Sequence, residues 1–308
     1  MTTSSRHTSS ASAPSPRGAA AAAARSRGGP GAASPSPAGV PRATGQYPAP
    51  VDTARSGRVA RLFMALTVGA VTLMCVPFLL GAPYPAWLTF VGRWVPLLVA
   101  VVLIRLVPVG GRTTQLLGLR TGGWRTLLTS LLAAVGVFLA LAFGPALLAQ
   151  ALGWGTMIET DVLLGALVQL PLWVALLSLS TVGEEAAWRG YAQQLLRHRG
   201  FWSSTLLIGA AWALLHVPQI SIFVVAGDLD PRDLAGGVLG VFFLALPLAA
   251  LVERFGTVWP AVVSHAVPFT ALTLLTSTTG LGYWAVLTVT GAASVLAAAL
   301  LRPRVRSA

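Results

Sequence analysis

Lysine and asparagine are absent from this sequence, cysteine occurs once, and aspartate and glutamate together occur only nine times in 308 residues. Each shortage excludes something. The lone Cys75 rules out an internal disulfide and, lying in an apolar run, reads as core packing. The lack of lysine and asparagine, beside abundant Ala, Gly and Pro, reads as the bias of a GC-rich bacterial genome. Charged residues make up 10% of the chain against 55% hydrophobic, with a mean hydropathy of +0.74, which excludes an ordinary soluble domain. Strict apolar/polar alternation in ten-residue segments is also missing, which excludes a membrane β-barrel. There is no HExxH and hence no zincin site, and no repeat at a solenoid period.

What is present is a series of continuous apolar runs. About 20 residues are needed to cross ~30 Å of hydrocarbon as a helix, and eight runs qualify: about 62–81, 86–107, 127–152, 162–182, 203–225, 234–252, 257–277 and 282–301. The fold class expected is therefore all-α, a polytopic membrane bundle of about eight transmembrane helices. Residues 1–58 are rich in Ser, Ala, Pro, Gly and Arg and cannot bury a core, so they read as a disordered tail. The transmembrane helical domain is then 59–308. The Ala19–Ala24 run is too short and too weakly apolar for a secretory signal, so no cleaved leader is expected.

The net charge of +12 is carried wholly by arginine, and eight of the 21 arginines lie in the first 61 residues. Nucleic acid is not the expected partner, because that tail has one aromatic, Tyr47, and no folded surface. Anionic lipid is, through the positive-inside rule and a basic tail. Arg112, Arg120, Arg125, Arg189, Arg197, Arg199, Arg254, Arg302, Arg304 and Arg306 fall on the same side of the eight spans as the tail. Glu159, Asp161, Asp228, Asp230 and Asp233 fall on the other, with Arg232. A multi-pass protein of the plasma membrane with both termini in the cytoplasm is expected. Arg93 falls inside the second run, where it snorkels or marks a later start of that span.

Ionisable groups inside a span cost ~2.5–3.5 kcal/mol each on insertion scales, so each one asks for a function. The stretch STVGEEAAWRGY, residues 180–191, holds three. On a helix Glu185 lies over Arg189, four residues on, in the favourable order. Glu184 is turned about 100° away and, on this reading, has no counter-ion. Of four histidines, two lie in other spans: His216, four residues after Trp212, and His265, in WPAVVSHAVPF. A carboxylate and two imidazoles from three helices could activate a water and stabilise an oxyanion, or could give three ligands to a divalent metal such as zinc.

These motifs resemble the CPBP family, named for CAAX proteases and bacteriocin-processing enzymes and also called Abi; the likeness is to its CAAX prenyl protease type 2 members. Its pattern is EExxxR, then an aromatic four residues before a histidine, then HxxxN. Glu184, Glu185 and Arg189, then Trp212 and His216, then His265 match it over about 160–275. The resemblance implies an intramembrane endopeptidase of eight transmembrane helices acting on a membrane-embedded or membrane-anchored peptide. In that scheme Glu184 activates water and His216 helps to bind it or a metal. His265 polarises the scissile carbonyl, while Glu185, Arg189 and Trp212 give structural support. The family's asparagine falls at Phe269, and Ser264 and Gln219 are the nearby polar residues that could donate in its place. Two readings compete: an inactive family member serving as a membrane scaffold or bacteriocin-immunity factor, and a proton-coupled small-solute transporter.

Overall fold

The structure is a computed structural model, and it describes residues 52–303. The greater part of the expected tail, residues 1–51, lies outside them. The apolar runs form helices because hydrocarbon offers the backbone no other hydrogen-bond partner. Helix α1 (Thr53–Leu79) begins earlier than the expected domain boundary at 59, because Asp52 caps it by accepting from the Arg55 N–H at 2.8 Å. Residues 53–58 are thus helical, with Ser56 and Gly57 buried. The second span is two helices, α2 (Trp87–Gly92) and α3 (Val95–Leu106), broken at Arg93 and Trp94. A short α4 (Thr113–Leu116) and a loop lead into α5 (Trp124–Ala151). The three-residue strand β1 (Gly155–Met157) joins it to α6 (Thr160–Glu185).

Helix α6 continues through a π-helical turn (Ala186–Ala192) into α7 (Gln193–Leu196). Then come α8 (Phe201–Ala226) and α9 (Pro231–Phe255), the first ended by Gly227 and the second by Gly256, both left-handed. The chain finishes with α10 (Trp259–His265), strand β2 (Leu275–Thr278) and α11 (Gly280–Leu301). Among the described residues, seven helical units are long and apolar enough to cross a membrane.

The eighth expected span, 257–277, is the exception. It is helical only from Trp259 to His265 and then runs through turns into β2, which pairs antiparallel with β1. Its two ends are nonetheless fixed at opposite ends of the bundle. At the end rich in arginine, the Val258 N–H donates to the Gly118 carbonyl at 3.0 Å and the Trp259 indole to the Leu119 carbonyl at 3.1 Å. At the acidic end, Thr278 faces Gly155 across the ladder. The chain therefore covers the length of α5 without being a single helix. Among the described residues, 257–277 is the one expected span that is not a helical unit of membrane length.

Two glycines let α6 and its continuation meet loops at backbone distance. A Cβ on Gly183 would stand 2.6 Å from the Arg93 carbonyl oxygen, and one on Gly190 would overlap the Leu117 carbonyl. Small residues at such contacts are how membrane helices pack without a hydrophobic driving force between them. Between Thr160 and Leu179, by contrast, α6 buries no residue. It is held to the bundle mainly where the motif begins. The principal core lies around that end, with Trp188 edge-on to Phe63 at 5.1 Å and Tyr191 edge-on to the same ring at 5.6 Å.

Candidate active site

The polar motif residues converge on one indole. Trp212, fully buried on α8, donates its Nε1–H to Glu184 Oε2 at 2.6 Å. The His216 ring stands edge-on to it at 5.3 Å, and the His265 ring at 5.1 Å from a different helix. The Arg189 guanidinium lies over its face at 4.0 Å. All six residues expected from the sequence are thus brought together, about 20 Å of helix in from the arginine-rich ends of α6–α7 and α8 at 1.5 Å per residue. Trp212 is more than support for a neighbouring histidine, since it is the common contact of the set.

Glu185 and Arg189 pair as their spacing requires, Oε1 to Nη1 at 3.1 Å, with both side chains buried. The same Oε1 also accepts from His265 Nδ1 at 2.8 Å. Because a carboxylate only accepts, the Nδ1 of His265 carries the proton. Glu185 therefore orients a histidine as well as an arginine.

Glu184 is not without a counter-ion. The Nε of Arg93 lies 3.4 Å from its Oε1, and Nη1 of that arginine donates to Ser180 Oγ at 3.2 Å, one turn earlier on α6. The break between α2 and α3 and the bare backbone of Gly183 make this approach physically available. Glu184 is buried, and Arg93 keeps a 24% exposed side chain, so the pair links the interior to a more open face. The sequence did carry a signal for Arg93, a lone arginine in an apolar run. It carried none for the partner, 91 positions away.

His216 Nδ1 lies 2.8 Å from the Trp212 carbonyl oxygen. A carbonyl only accepts, so Nδ1 is the protonated nitrogen and a neutral ring keeps a lone pair on Nε2. Glu184 interacts electrostatically with His265, Arg93 and His216. Among the described residues no three His, Cys, Asp or Glu side chains stand close enough together to hold a metal ion. The donor chemistry agrees, because a guanidinium and an indole N–H already occupy the Glu184 carboxylate and both compete with a cation. The three-ligand alternative is not the arrangement found. Ser264 is buried with its hydroxyl unpartnered among the described residues, Gln219 is half-buried, and Phe269 packs edge-on to Phe143 of α5 at 6.3 Å.

Residues 164–268, which contain every one of these motif residues, match the family model described as Rce1-like, type II CAAX prenyl endopeptidase. The match spans about a third of the chain. No curated protein matches the chain. The Rce1-like segment covers α6 to α10, and it ends one residue before Phe269, where the asparagine of the HxxxN pattern would stand. Arg93, the partner of Glu184, lies outside it.

Proposed function

We propose that the protein is an intramembrane endopeptidase that hydrolyses a peptide bond of a membrane-embedded or membrane-anchored protein. The observation that carries this reading is a buried carboxylate and two imidazoles held around one indole, within a Rce1-like domain. Glu184 takes a proton from a water as the water oxygen adds to the scissile carbonyl carbon. Two carboxylate oxygens have about four acceptor positions, so the bonds to Arg93 and Trp212 leave room for that water. His216 Nε2 accepts the second water hydrogen. His265, its Nδ1–H held by Glu185, acts with both ring nitrogens protonated and donates its Nε2–H to the carbonyl oxygen as negative charge develops there. When the C–N bond breaks, Glu184 returns its proton to the leaving amine, and the products are an amine and a carboxylic acid, which releases its remaining proton to water. The water needs no metal for this sequence.

The arginine-rich end of the bundle is assigned to the cytoplasm by the positive-inside rule, and the basic tail to contact with anionic lipid. The test replaces Glu184 with Gln, which keeps shape and removes the base. Parent and variant are reconstituted in vesicles with two fluorogenic probes, a farnesylated peptide ending in C-a-a-X and an unlipidated transmembrane peptide. The parent cleaves at least one probe, and Glu184→Gln lowers kcat by ~10²–10⁴ with near-normal membrane level. Equal rates from the two proteins would remove Glu184 from the chemistry and leave the inactive-scaffold reading in its place.

A further inference from the structure

His265 is the last residue of α10, and α10 has only seven residues. A helix that short is marginal by itself, and helix ends fray first. Beyond it the chain runs through turns, so no further helical turn steadies the imidazole. Its position has to come from neighbouring elements. The start of α10 is tied to the loop before α5 by the Val258 N–H and the Trp259 indole. The far end, which carries the histidine, is tied to α6.

Two hydrogen bonds join α6 to α10 among the described residues. One is His265 Nδ1–H to Glu185 Oε1 at 2.8 Å. The other comes from Thr181, a fully buried residue of α6 whose hydroxyl donates to the Val262 carbonyl oxygen at 3.0 Å. A threonine inside a helix often turns its hydroxyl back on its own helix. Here the Ser178 carbonyl lies 3.5 Å away, beyond the usual range, and a hydroxyl has one proton to give, so the bond across to α10 takes it. Thr181 and Glu185 are four residues apart on α6, while Val262 and His265 are three apart on α10. Both spacings keep a pair on one helix face. The threonine bond is thus about one turn from the histidine bond on each helix, and it fixes where the last turn of α10 sits against α6.

The Val262 carbonyl does not depend on Thr181 for a partner, because the Ala266 N–H also donates to it at 3.1 Å. Loss of the hydroxyl therefore orphans no buried acceptor, and one interhelical bond of this kind adds little to membrane-protein stability. What it removes is geometry. Without it, the imidazole alone bonds α10 to α6.

We propose that Thr181 is a positioning residue: its hydroxyl holds the last turn of α10 against α6 so that His265 meets Glu185 and faces the scissile carbonyl. This rests on the proteolytic reading of the site and adds Thr181 to the residues that shape it. The hydroxyl acts through His265 and touches no substrate, so its loss should appear in the chemical step and not in substrate binding.

The test compares T181V, T181S and the parent in vesicles, with the probe that the parent cleaves. Valine matches threonine in shape and lacks the hydroxyl; serine keeps the hydroxyl and lacks the methyl group. T181V should lose at least about tenfold in kcat, with KM within about twofold of the parent and Tm within ~3 °C. T181S should recover most of the kcat. Equal kcat in T181V and T181S overturns the proposal, and so does a loss that falls on KM with kcat unchanged. In detergent, amide hydrogen exchange over residues 262–268 should be faster in T181V than in T181S, and equal exchange also overturns it. Should T181V fail to accumulate, T181A against T181S makes the same comparison, since that pair differs by the hydroxyl alone. A parent that cleaves neither probe refutes the proteolytic reading itself, and the exchange comparison still decides whether Thr181 holds α10.

Discussion

Replacing Arg93 with Met removes the counter-ion of Glu184 without changing the apolar length of the side chain much. Loss of one member of a buried ion pair costs about 3–5 kcal/mol, because the other charge stays behind. Here the Arg93 side chain is 24% exposed and Glu184 4%, and the Trp212 N–H still holds one carboxylate oxygen. Those two facts place the cost at the lower end, about 3 kcal/mol. For a helical domain of this size, each kcal/mol moves Tm by ~2–4 °C, so R93M should melt about 6–12 °C below the parent. Glu184→Gln alone should cost far less, since the arginine it strands can reach a more open face. The double variant should recover most of the loss from R93M, with a coupling of at least about 1 kcal/mol. Thermal unfolding of the four proteins in one detergent, followed by tryptophan fluorescence, measures the cycle. Additive effects, with the double variant as unstable as the sum of the singles, would refute the pair and the role given to the break between α2 and α3.

Glu185→Gln should lower Tm by stranding the buried Arg189 and should also slow cleavage by freeing His265; adding Arg189→Gln should restore part of the Tm and none of the rate. Gly183→Ala would put a methyl group 2.6 Å from the Arg93 carbonyl oxygen, so a loss of ~1–3 kcal/mol in detergent unfolding is expected, with a lower cleavage rate as Arg93 is pushed away. Reporter fusions after Ala226 and after Arg306 should give opposite signals, as the positive-inside assignment requires; the same signal from both would refute that assignment.

The seven helices of membrane length were legible because a continuous apolar run of span length has one stable backbone solution in hydrocarbon. The segment 257–277 is also a long apolar run and has a different answer. Proline did not give it away, since Pro77, Pro145, Pro171, Pro218 and Pro247 all sit inside unbroken helices. The better signal was the threonine-rich stretch after Pro268, with threonines at 270, 273, 276, 278 and 279, residues that favour strand and turn over helix. In the site, helical arithmetic was enough for Glu185 with Arg189. It could not reach Arg93 with Glu184 or His265 with Glu185, because those contacts depend on how distant helices pack. Glu184 has no counter-ion along its own helix; Arg93 reaches it from the break between α2 and α3.

The π-helical turn after Glu185 has a consequence for how this chain tolerates changes in length. Each hydrogen bond there encloses one residue more than an α-helical turn does. The helix thus stores one surplus residue between the acid pair and the two glutamines of α7. Gln193 and Gln194 reach sideways to the Ala249 carbonyl and to the carbonyls of Gln115 and Leu116. Deleting one residue from 186–192 lets the turn relax to α-helical winding while Glu184 upstream and Gln193 downstream keep their directions. The same deletion elsewhere in α6 rotates everything after it by about 100°. The turn acts as slack in an otherwise rigid rod, so length variation among related chains should collect there and not in the adjoining α-helix.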